Sequence, residues 1–300
     1  MCGIFGYIGQ RTSEAILFEA LKRLEYRGYD SWGVALGIGE TADGHLHVVR
    51  QAGRIASGTG SRDAAASGAA SPWGGIAHTR WATHGPPTDV NAHPHRSRNG
   101  RIAVAHNGII ENYRALRQML ESDGYPFVSE TDTEVIPHLV EKLMTDGADF
   151  RTAFLGSLEL LDGTYGIAAI CADEPGVILA GKMGSPMVIG IGDDAMMLAS
   201  DPAALVAHTR NVIYLDDGET ATLRAGSFET HDLQDAPVTK DMQEIAFDLP
   251  AIERGGHAHF MLKEIFEQPE TIRNAFRGRI VRSEGSTHMG GTRPAAMRRA

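Results

Sequence analysis

The sequence predicts an α+β fold, because strand-like and helix-like stretches occur in separate blocks rather than in strict alternation. The first 110 residues contain strand candidates and a single helix, three helices follow between 112 and 163, and short strands return from 164 to about 233. A doubly wound parallel sheet would need a helix after nearly every strand. The block order therefore favours α+β over a doubly wound fold.

The composition indicates a soluble globular protein that acts on a small molecule or another protein. Of 300 residues, 42% are hydrophobic and 22% charged, and the formal net charge is -10, which argues against binding to nucleic acid. No run approaches the roughly 18 apolar residues of a membrane span, and no signal peptide is visible. From the hydropathy we expect no membrane partner, and because two cysteines form no disulfide framework we expect a cytoplasmic protein.

The first 110 residues are predicted to form five strands, one helix and the loops that connect them. CGIFGYIG (2–9) alternates glycine with bulky apolar residues and predicts a buried strand, while 13–28 has leucines at helical spacing and ends at Gly28. Further strands are predicted at 32–39, 45–53, 74–82 and 101–109. The small, polar stretch 56–71 predicts an exposed loop.

The helical block consists of three segments, 112–124, 129–147 and 150–163. Thr131 and Glu134 have the spacing of a capping box at the start of the second segment. Short strands are then predicted at 164–172, 176–181, 186–192, 196–200 and 212–224. From about 235 the character changes, and we expect a first domain at 2–237, a linker at 238–258 and the start of another domain at 259–300.

A cysteine stands directly after the initiator methionine. A small residue at this position allows Met1 to be removed, which would leave Cys2 with both a thiol and a free α-amine. The alternative is a buried cysteine that packs as a small hydrophobe in the first strand. Cys171, in the strand-like IAAICAD, is expected to be an inert core thiol.

The segment HTRWATHGPPTDVNAHPH is dense in functional side chains. Arg80 offers a planar fork that suits a carboxylate, Trp81 could form a wall or lid, and Thr83 and His84 lie on a predicted loop. The alternative for Arg80 and Trp81 is an ordinary salt-bridged end of a surface strand.

Histidines in and after this segment raise the possibility of a metal site, namely His84, His93, His95 and His106. Their spacing argues against it, since HExxH and CxxC are absent and Pro94 separates the closest pair. The sequence therefore predicts neither a metal nor another cofactor.

Two further segments allow both a structural and a chemical interpretation. Asn107-Gly108 is a strong hairpin signal, but an Asn amide beside a Gly N–H can also stabilise the oxyanion of acyl transfer. Asp132 could cap a helix, or its carboxylate could hold the α-ammonium of an amino-acid substrate whose carboxylate Arg80 binds.

Six motifs occur in a characteristic order: CGIFGYIG, RLEYRGYDSWG, HTRWATHG, NAHPH, HNGIIENY and SETDTEV. In this combination the chain resembles the glutaminase domain of the glutamine–fructose-6-phosphate aminotransferase family, class II amidotransferases of the N-terminal-nucleophile hydrolase type. The resemblance covers residues 2 to about 240. The segment HFMLKEIFEQPETIRNAFRGRIV is similar to the start of the sugar-isomerase domain of that family.

The resemblance implies a four-layer αββα sandwich of two stacked antiparallel sheets. It also implies a role for each of these residues: Cys2 as nucleophile, Asn107 and Gly108 as oxyanion hole, Arg80 for the substrate carboxylate, Asp132 for its α-amine, Thr83 and His84 in the glutamine loop, Trp81 as the gate for ammonia, and His93 as support for the loop.

The implied activity is hydrolysis of L-glutamine to glutamate and ammonia for glucosamine 6-phosphate synthesis. Fructose 6-phosphate would bind through an isomerase half that this chain lacks beyond a truncated start at 259–300, and a homodimer is expected only in the full-length enzyme. The alternatives are a class II amidotransferase domain that serves another acceptor and a non-catalytic glutamine-binding remnant.

Overall fold

The computed structural model describes residues 2–10, 13–37, 46–55, 73–246, 257–276, 280–281 and 286–287. The loop predicted at 56–71 lies outside these residues, as does 247–256 of the predicted linker. The chain divides into two compact units, Met1–Ala246 and Phe247–Ala300. The first unit extends beyond residue 237 and includes a short strand at Gln243–Glu244.

The first unit contains four α-helices and fourteen strands among the residues described. In chain order these are β1 (Gly3–Gly9), α1 (Ser13–Leu24), β2 (Ser31–Gly37), β3 (His47–Ala52), β4 (Gly74–Arg80), β5 (His95–Arg96), β6 (Ile102–Ile110), α2 (Tyr113–Ser122), α3 (Val135–Thr145), α4 (Phe150–Glu159), β7 (Gly163–Cys171), β8 (Ile178–Met183), β9 (Val188–Ile191), β10 (Ala195–Ala199), β11 (Asn211–Tyr214), β12 (Glu219–Arg224), β13 (Ser227–Asp232) and β14 (Gln243–Glu244).

The strands form two antiparallel sheets. The first sheet has the order β14-β11-β9-β10-β1-β4-β2-β3, and the second has the order β13-β12-β8-β7-β6-β5. Helix α1 packs on β1, β4 and β2 of the first sheet, while α2, α3 and α4 share an apolar core with the second sheet. A separate apolar core lies between the sheets. The α+β class and the αββα sandwich expected from the sequence are confirmed.

Residues of β6 alternate between the two cores, as the period of a strand requires. Ile102 and Val104 contribute to the core beneath the helices, whereas Ala103 and Ala105 contribute to the core between the sheets. Because β6 is covered on both faces, its sequence reads as a nearly continuous apolar run.

A row of four alanines crosses the inner face of the second sheet. Ala105, Ala168, Ala180 and Ala221 pair in register on β6, β7, β8 and β12, and all four are buried in the core between the sheets. The first sheet contributes larger residues to the same core, among them Ile4, Ile8, Ile76 and Leu198. The small side chains leave the room that these larger side chains fill.

The segment 212–224, predicted as one strand, is two strands in different sheets. β11 ends at Tyr214 in the first sheet, and β12 begins at Glu219 in the second. Gly218, with φ of +80°, lies in the turn between them. The turn signal DDG interrupts the apolar pattern, so the chain crosses from one layer to the other.

The capping box predicted for the second helical segment is wrong. Helix α3 begins at Val135, and the Glu134 carboxylate accepts hydrogen bonds from the backbone N–H groups of Val128 and Ser129 at 3.0 and 2.7 Å. Glu134 therefore closes the loop before the helix.

The second unit contains helix α5 (Phe260–Phe276), which continues through Pro269, and a two-stranded pair of β15 (Ile280–Val281) and β16 (Ser286–Thr287). In the described part of the chain, no helix has both the length and the apolar character needed to cross a membrane.

Enlarging one alanine of the row should destabilise the sandwich. We expect Ala168→Leu to lower the free energy of unfolding by about 1–3 kcal/mol, because the extra methyl groups must displace closely packed neighbours. Urea denaturation measures the change. The control is Ala115→Leu on the exposed face of α2, which should change stability by less than about 0.5 kcal/mol; equal effects of the two substitutions would contradict the packing argument.

Candidate active site

Cys2 lies immediately before β1, and the pairing of β1 with β4 brings it beside the end of β4. Gly3 is the partner of Thr79 across this pair, so the next residues along β4 reach the cysteine. The backbone N–H of Trp81 donates to Cys2 Sγ at 3.2 Å. The sheet register thus places a thiol and a backbone donor together although 79 residues separate them in sequence.

Burial raises the pKa of the Cys2 thiol. The Trp81 N–H and the guanidinium groups of Arg80 and Arg27 favour the thiolate and act in the opposite direction, but burial is the largest effect. The thiol is therefore protonated at neutral pH and needs a base before it can act as a nucleophile.

The carbonyl oxygen of Cys2 accepts two hydrogen bonds. Arg27 Nε and Asn107 Nδ2 each donate to it at 3.2 Å, the first from the turn after α1 and the second from β6. Arg27 also pairs with Asp201, which accepts a further hydrogen bond from the Tyr26 hydroxyl at 2.6 Å. The backbone at Cys2 is consequently held by the turn after α1 and by β6 of the second sheet.

Asn107 and Gly108 lie inside β6 and not at a hairpin turn. Asn107 pairs with Gly166 and Gly108 with Tyr165 on β7, and the strand continues to Ile110. Gly108 has φ of +135°, and a Cβ atom there would overlap the carbonyl oxygen of Thr164. Glycine is required here by the backbone conformation and by the close approach of the neighbouring strand.

Arg80 is 3% exposed, and its guanidinium group binds the loop that follows β4. Its N–H groups donate to the carbonyl oxygens of His84, Gly85 and Pro86, the last two at 3.3 and 3.2 Å. Thr83, within the same loop, is exposed, and the half-buried ring of His84 contacts the Tyr113 ring at a centroid distance of 5.8 Å. Arg80 therefore shapes the loop that carries Thr83 and His84.

The segment after β4 is also fastened to the start of β2. Asp30 accepts from the Ala82 N–H at 2.9 Å through its carboxylate and donates its own N–H to the Arg80 carbonyl at 3.0 Å. The Trp81 side chain is 45% exposed and packs edge-on against Tyr29 at 5.4 Å between ring centroids. The Trp81 backbone thus contacts Cys2 while its indole lies at the surface.

Asp132 does not cap a helix. Its Oδ2 accepts a hydrogen bond from the Ile110 N–H at 2.8 Å, and its side chain is 5% exposed. This bond joins the carboxylate to the end of β6, the strand that carries Asn107 and Gly108. Asp132 thus brings a negative charge to the same strand.

Four buried histidines cluster behind the site: His78, His93, His95 and His106. The His93 ring stacks on His78 at a centroid distance of 4.3 Å and contacts His95 edge-on at 4.8 Å, while its Nδ1 accepts from the His106 N–H at 3.4 Å. Burial lowers the pKa of all four, that of His78 to about 3. The cluster is therefore neutral near pH 7.

This cluster differs by one residue from the four histidines considered as metal ligands in the sequence. It contains His78 instead of His84, whose ring packs against Tyr113. Within the described residues, no group of three or more His, Cys, Asp or Glu side chains is arranged to hold a metal ion.

Sequence reasoning missed Arg27, Asp30, His78 and Asp201. The first three lie within motifs that carried the resemblance, RLEYRGYDSWG and HTRWATHG, so a signal was present without a role attached. Asp201 gave no such signal, because its contact with Arg27 spans 174 residues.

Comparison with known proteins agrees with this architecture. Residues 78–207 match the family described as the glutamine amidotransferase domain. The chain is 44% identical over 293 residues to the glutamine–fructose-6-phosphate aminotransferase (isomerizing) of Chlorobaculum tepidum, which covers 97% of this chain and 47% of that protein. It is 47% identical over 288 residues to the enzyme of the same name from Mycolicibacterium paratuberculosis, and the match covers 94% of this chain and 46% of that enzyme. The chain thus spans about half the length of these relatives.

Among solved structures, the glutamine phosphoribosylpyrophosphate amidotransferase from B. subtilis is similar to this chain with a TM-score of 0.62 and 26% identity. The match covers 77% of this chain and 49% of that structure.

At Gly108, the destabilisation caused by the clash of an added Cβ can be separated from the destabilisation caused by the positive φ. We expect Gly108→Ala to destabilise the protein by about 2 kcal/mol or more beyond the effect of Gly147→Ala. Gly147 also has a positive φ, +106°, but an added Cβ would lie in open space. Thermal and urea unfolding of both variants provide the comparison, and equal losses would show that Thr164 does not restrict residue 108.

Proposed function

Because the chain belongs to the glutamine amidotransferase family, we propose that it hydrolyses the side-chain amide of L-glutamine to glutamate and ammonia, with Cys2 as nucleophile. The observation that carries the proposal is that Cys2 lies beside the end of β4 and accepts a hydrogen bond from the Asn107 amide through its carbonyl, with Gly108 next to Asn107 on β6. Acyl transfer requires a nucleophile and oxyanion donors in such proximity.

The base in this mechanism is the α-amine of Cys2 after removal of Met1. An α-amine has an unperturbed pKa of about 7.7–8.0, so a substantial part is neutral near pH 7.5 and can accept the thiol proton. This role explains why the cysteine directly follows the initiator methionine. A cysteine inside the chain would have no such amine.

The thiolate then attacks the amide carbon of glutamine, and a carbon–sulfur bond forms. One hydrogen of Asn107 Nδ2 is used by the Cys2 carbonyl, and the other can bind the oxyanion together with the Gly108 N–H. Collapse of the tetrahedral intermediate breaks the carbon–nitrogen bond, and the α-ammonium returns its proton to the leaving ammonia. Water hydrolyses the glutamyl thioester and restores the thiol.

Two opposite charges would orient the substrate. The Arg80 guanidinium has N–H groups beyond those that bind the loop carbonyls, and these would bind the α-carboxylate. Asp132 would bind the α-ammonium, and Thr83 and His84 would line the same side. Trp81 would cover the nucleophile and direct the release of ammonia, while His93 would support the site from the histidine cluster.

We further propose fructose 6-phosphate as the acceptor of the ammonia. The relatives that match almost the whole of this chain are named as glutamine–fructose-6-phosphate aminotransferases, and the chain spans about half of their length. In that arrangement residues 2–246 supply ammonia to a sugar-phosphate site outside this unit.

Cys2→Ala should abolish glutamate release. We expect a fall in kcat of at least about 10³-fold, because the covalent intermediate cannot form. The measurement is glutamate and ammonia released from amide-¹⁵N-labelled glutamine, with the intact mass of the chain showing removal of Met1. Cys171→Ala is the control, since Cys171 is buried in the core beneath the helices and should retain activity.

Either of two results would overturn the proposal that Cys2 hydrolyses glutamine: glutamate release by Cys2→Ala at the wild-type rate, or no release by a wild-type chain that lacks Met1.

The same labelled substrate tests fructose 6-phosphate as the acceptor of the ammonia. Label recovered in glucosamine 6-phosphate when fructose 6-phosphate is supplied supports it, and label in another aminated product contradicts it.

The pH profile should distinguish the α-amine from a free thiolate. An amine base must be neutral, so kcat/KM should fall as the pH drops through about 7–8. A mechanism that relied on spontaneous ionisation of Cys2 would place this limb above about 8.5, because burial raises the thiol pKa. A chain that retains Met1 has no α-amine on Cys2 and should lose most of its activity, whereas an unchanged rate and pH profile in that chain would rule out the amine.

A further inference from the structure

We propose that His78 is a positioning residue that fixes the orientation of the Asn107 amide in the oxyanion hole. The inference rests on the proposed glutaminase function and assigns a role to a residue outside the set implied by the resemblance. Its basis is a hydrogen bond of 3.0 Å between His78 Nε2 and Asn107 Oδ1, within the buried part of the site.

The bond joins the two sheets at their inner faces. On β4, His78 lies two residues after Ile76, which belongs to the core between the sheets, whereas Thr79 contacts α1 on the opposite face. On β6, Asn107 follows Ala105 with the same period of two. The two side chains therefore approach each other from opposite sheets, and His78 is 0% exposed.

The hydrogen bond selects one of two orientations of the amide. With Oδ1 accepting from His78 Nε2–H, Nδ2 is directed at the Cys2 carbonyl and donates to it. After a flip of the amide, Oδ1 would face that carbonyl, and two acceptors would lie about 3 Å apart. His78 thereby keeps the amide N–H groups beside the nucleophile, where the oxyanion develops.

The His78 ring is itself held in place. It stacks on His93 at 4.3 Å with an interplanar angle of 27°, and His93 is fixed by the His106 N–H and by the His95 ring. Burial lowers the pKa of His78 to about 3, so the ring is neutral over the range in which a glutaminase would work. A neutral imidazole carries one N–H, and the Asn107 Oδ1 acceptor favours its placement on Nε2 over Nδ1, which has no hydrogen-bond partner within the described part of the chain.

The catalytic consequence is specific to the transition state. Oxyanion donors act on charge that is absent from bound glutamine, so disorder of Asn107 should reduce kcat and leave KM nearly unchanged. Removing an oxyanion donor outright costs about 10²–10³-fold in kcat. A variant that keeps Asn107 but lets its amide change orientation should lose less, about 10–100-fold in kcat.

The test compares His78→Leu with His78→Gln. Leucine removes the donor, whereas the glutamine amide can place an N–H close to the position of Nε2 and donate to Asn107 Oδ1. We expect kcat to fall about 10–100-fold in His78→Leu with KM changed less than about 3-fold, and His78→Gln to recover most of the loss. His138→Leu is the matched control. His138 lies on α3, is 2% exposed and packs against the rings of Tyr125 and Phe127.

A second measurement does not depend on activity. The side-chain NH₂ resonances of Asn107, assigned by their loss in Asn107→Asp, should shift or broaden in His78→Leu and stay in place in His138→Leu. Unmoved resonances, a loss confined to KM, or equal losses in kcat for His78→Leu and His138→Leu would overturn the inference. If the wild type released no glutamate, the proposed function would fail, and the resonances would still decide whether His78 orients Asn107.

Discussion

The stacking of two antiparallel sheets across one apolar layer is the constraint on which the rest of the structure depends. Each strand that reaches the site has a buried inner face, so its side chains alternate strictly, and a shift of one residue would turn every functional group away. In the first sheet this alternation aligns Ile76, His78 and Arg80, and in the second it aligns Ala105 and Asn107. The site is the polar end of a packed core.

Burial has different consequences for the groups at this end. It keeps the histidine cluster neutral, which makes those rings fixed hydrogen-bonding groups, and it disfavours the thiolate of Cys2, which makes a base necessary. The nearby guanidinium groups of Arg27 and Arg80 moderate that second effect. Desolvation therefore makes the histidine rings fixed hydrogen-bonding groups and makes a base necessary at Cys2, the role that we propose for the N-terminal amine.

The sequence was sufficient for the fold class, and its motifs contain most of the residues that the fold brings together around Cys2. Apolar periodicity indicates strands and helices locally, and the residues around Cys2, Arg80 and Asn107 lie in short motifs whose order is informative. Contacts between distant segments left no such trace. Asp201 meets Arg27 across 174 residues, and the division of 212–224 between two sheets depends on tertiary pairing that a local pattern does not contain.

Local signals also misled where tertiary contacts outweighed them. Asn107-Gly108 has the composition of a hairpin turn, but pairing with β7 keeps it extended, and the glycine serves a close approach of strands instead. Thr131 and Glu134 have the spacing of a capping box, yet Thr131 contacts His95 and Glu134 closes the preceding loop. A partner far along the chain determined the role of Asn107-Gly108 and of Thr131, whereas Glu134 is bound within its own loop.

The position of β1 in the first sheet determines when the surroundings of Cys2 can form during biosynthesis. β1 is an interior strand, and Phe5 pairs with Ala199, 194 residues later in the chain. At about 5–20 residues per second, the ribosome needs about 10–40 s to synthesise that partner. Throughout this interval the N-terminal segment cannot be enclosed on both edges, so its first peptide bond is open to the enzymes that trim nascent chains. The proposed mechanism requires methionine removal, and this interval leaves time for it before the strands on both sides of β1 are in place.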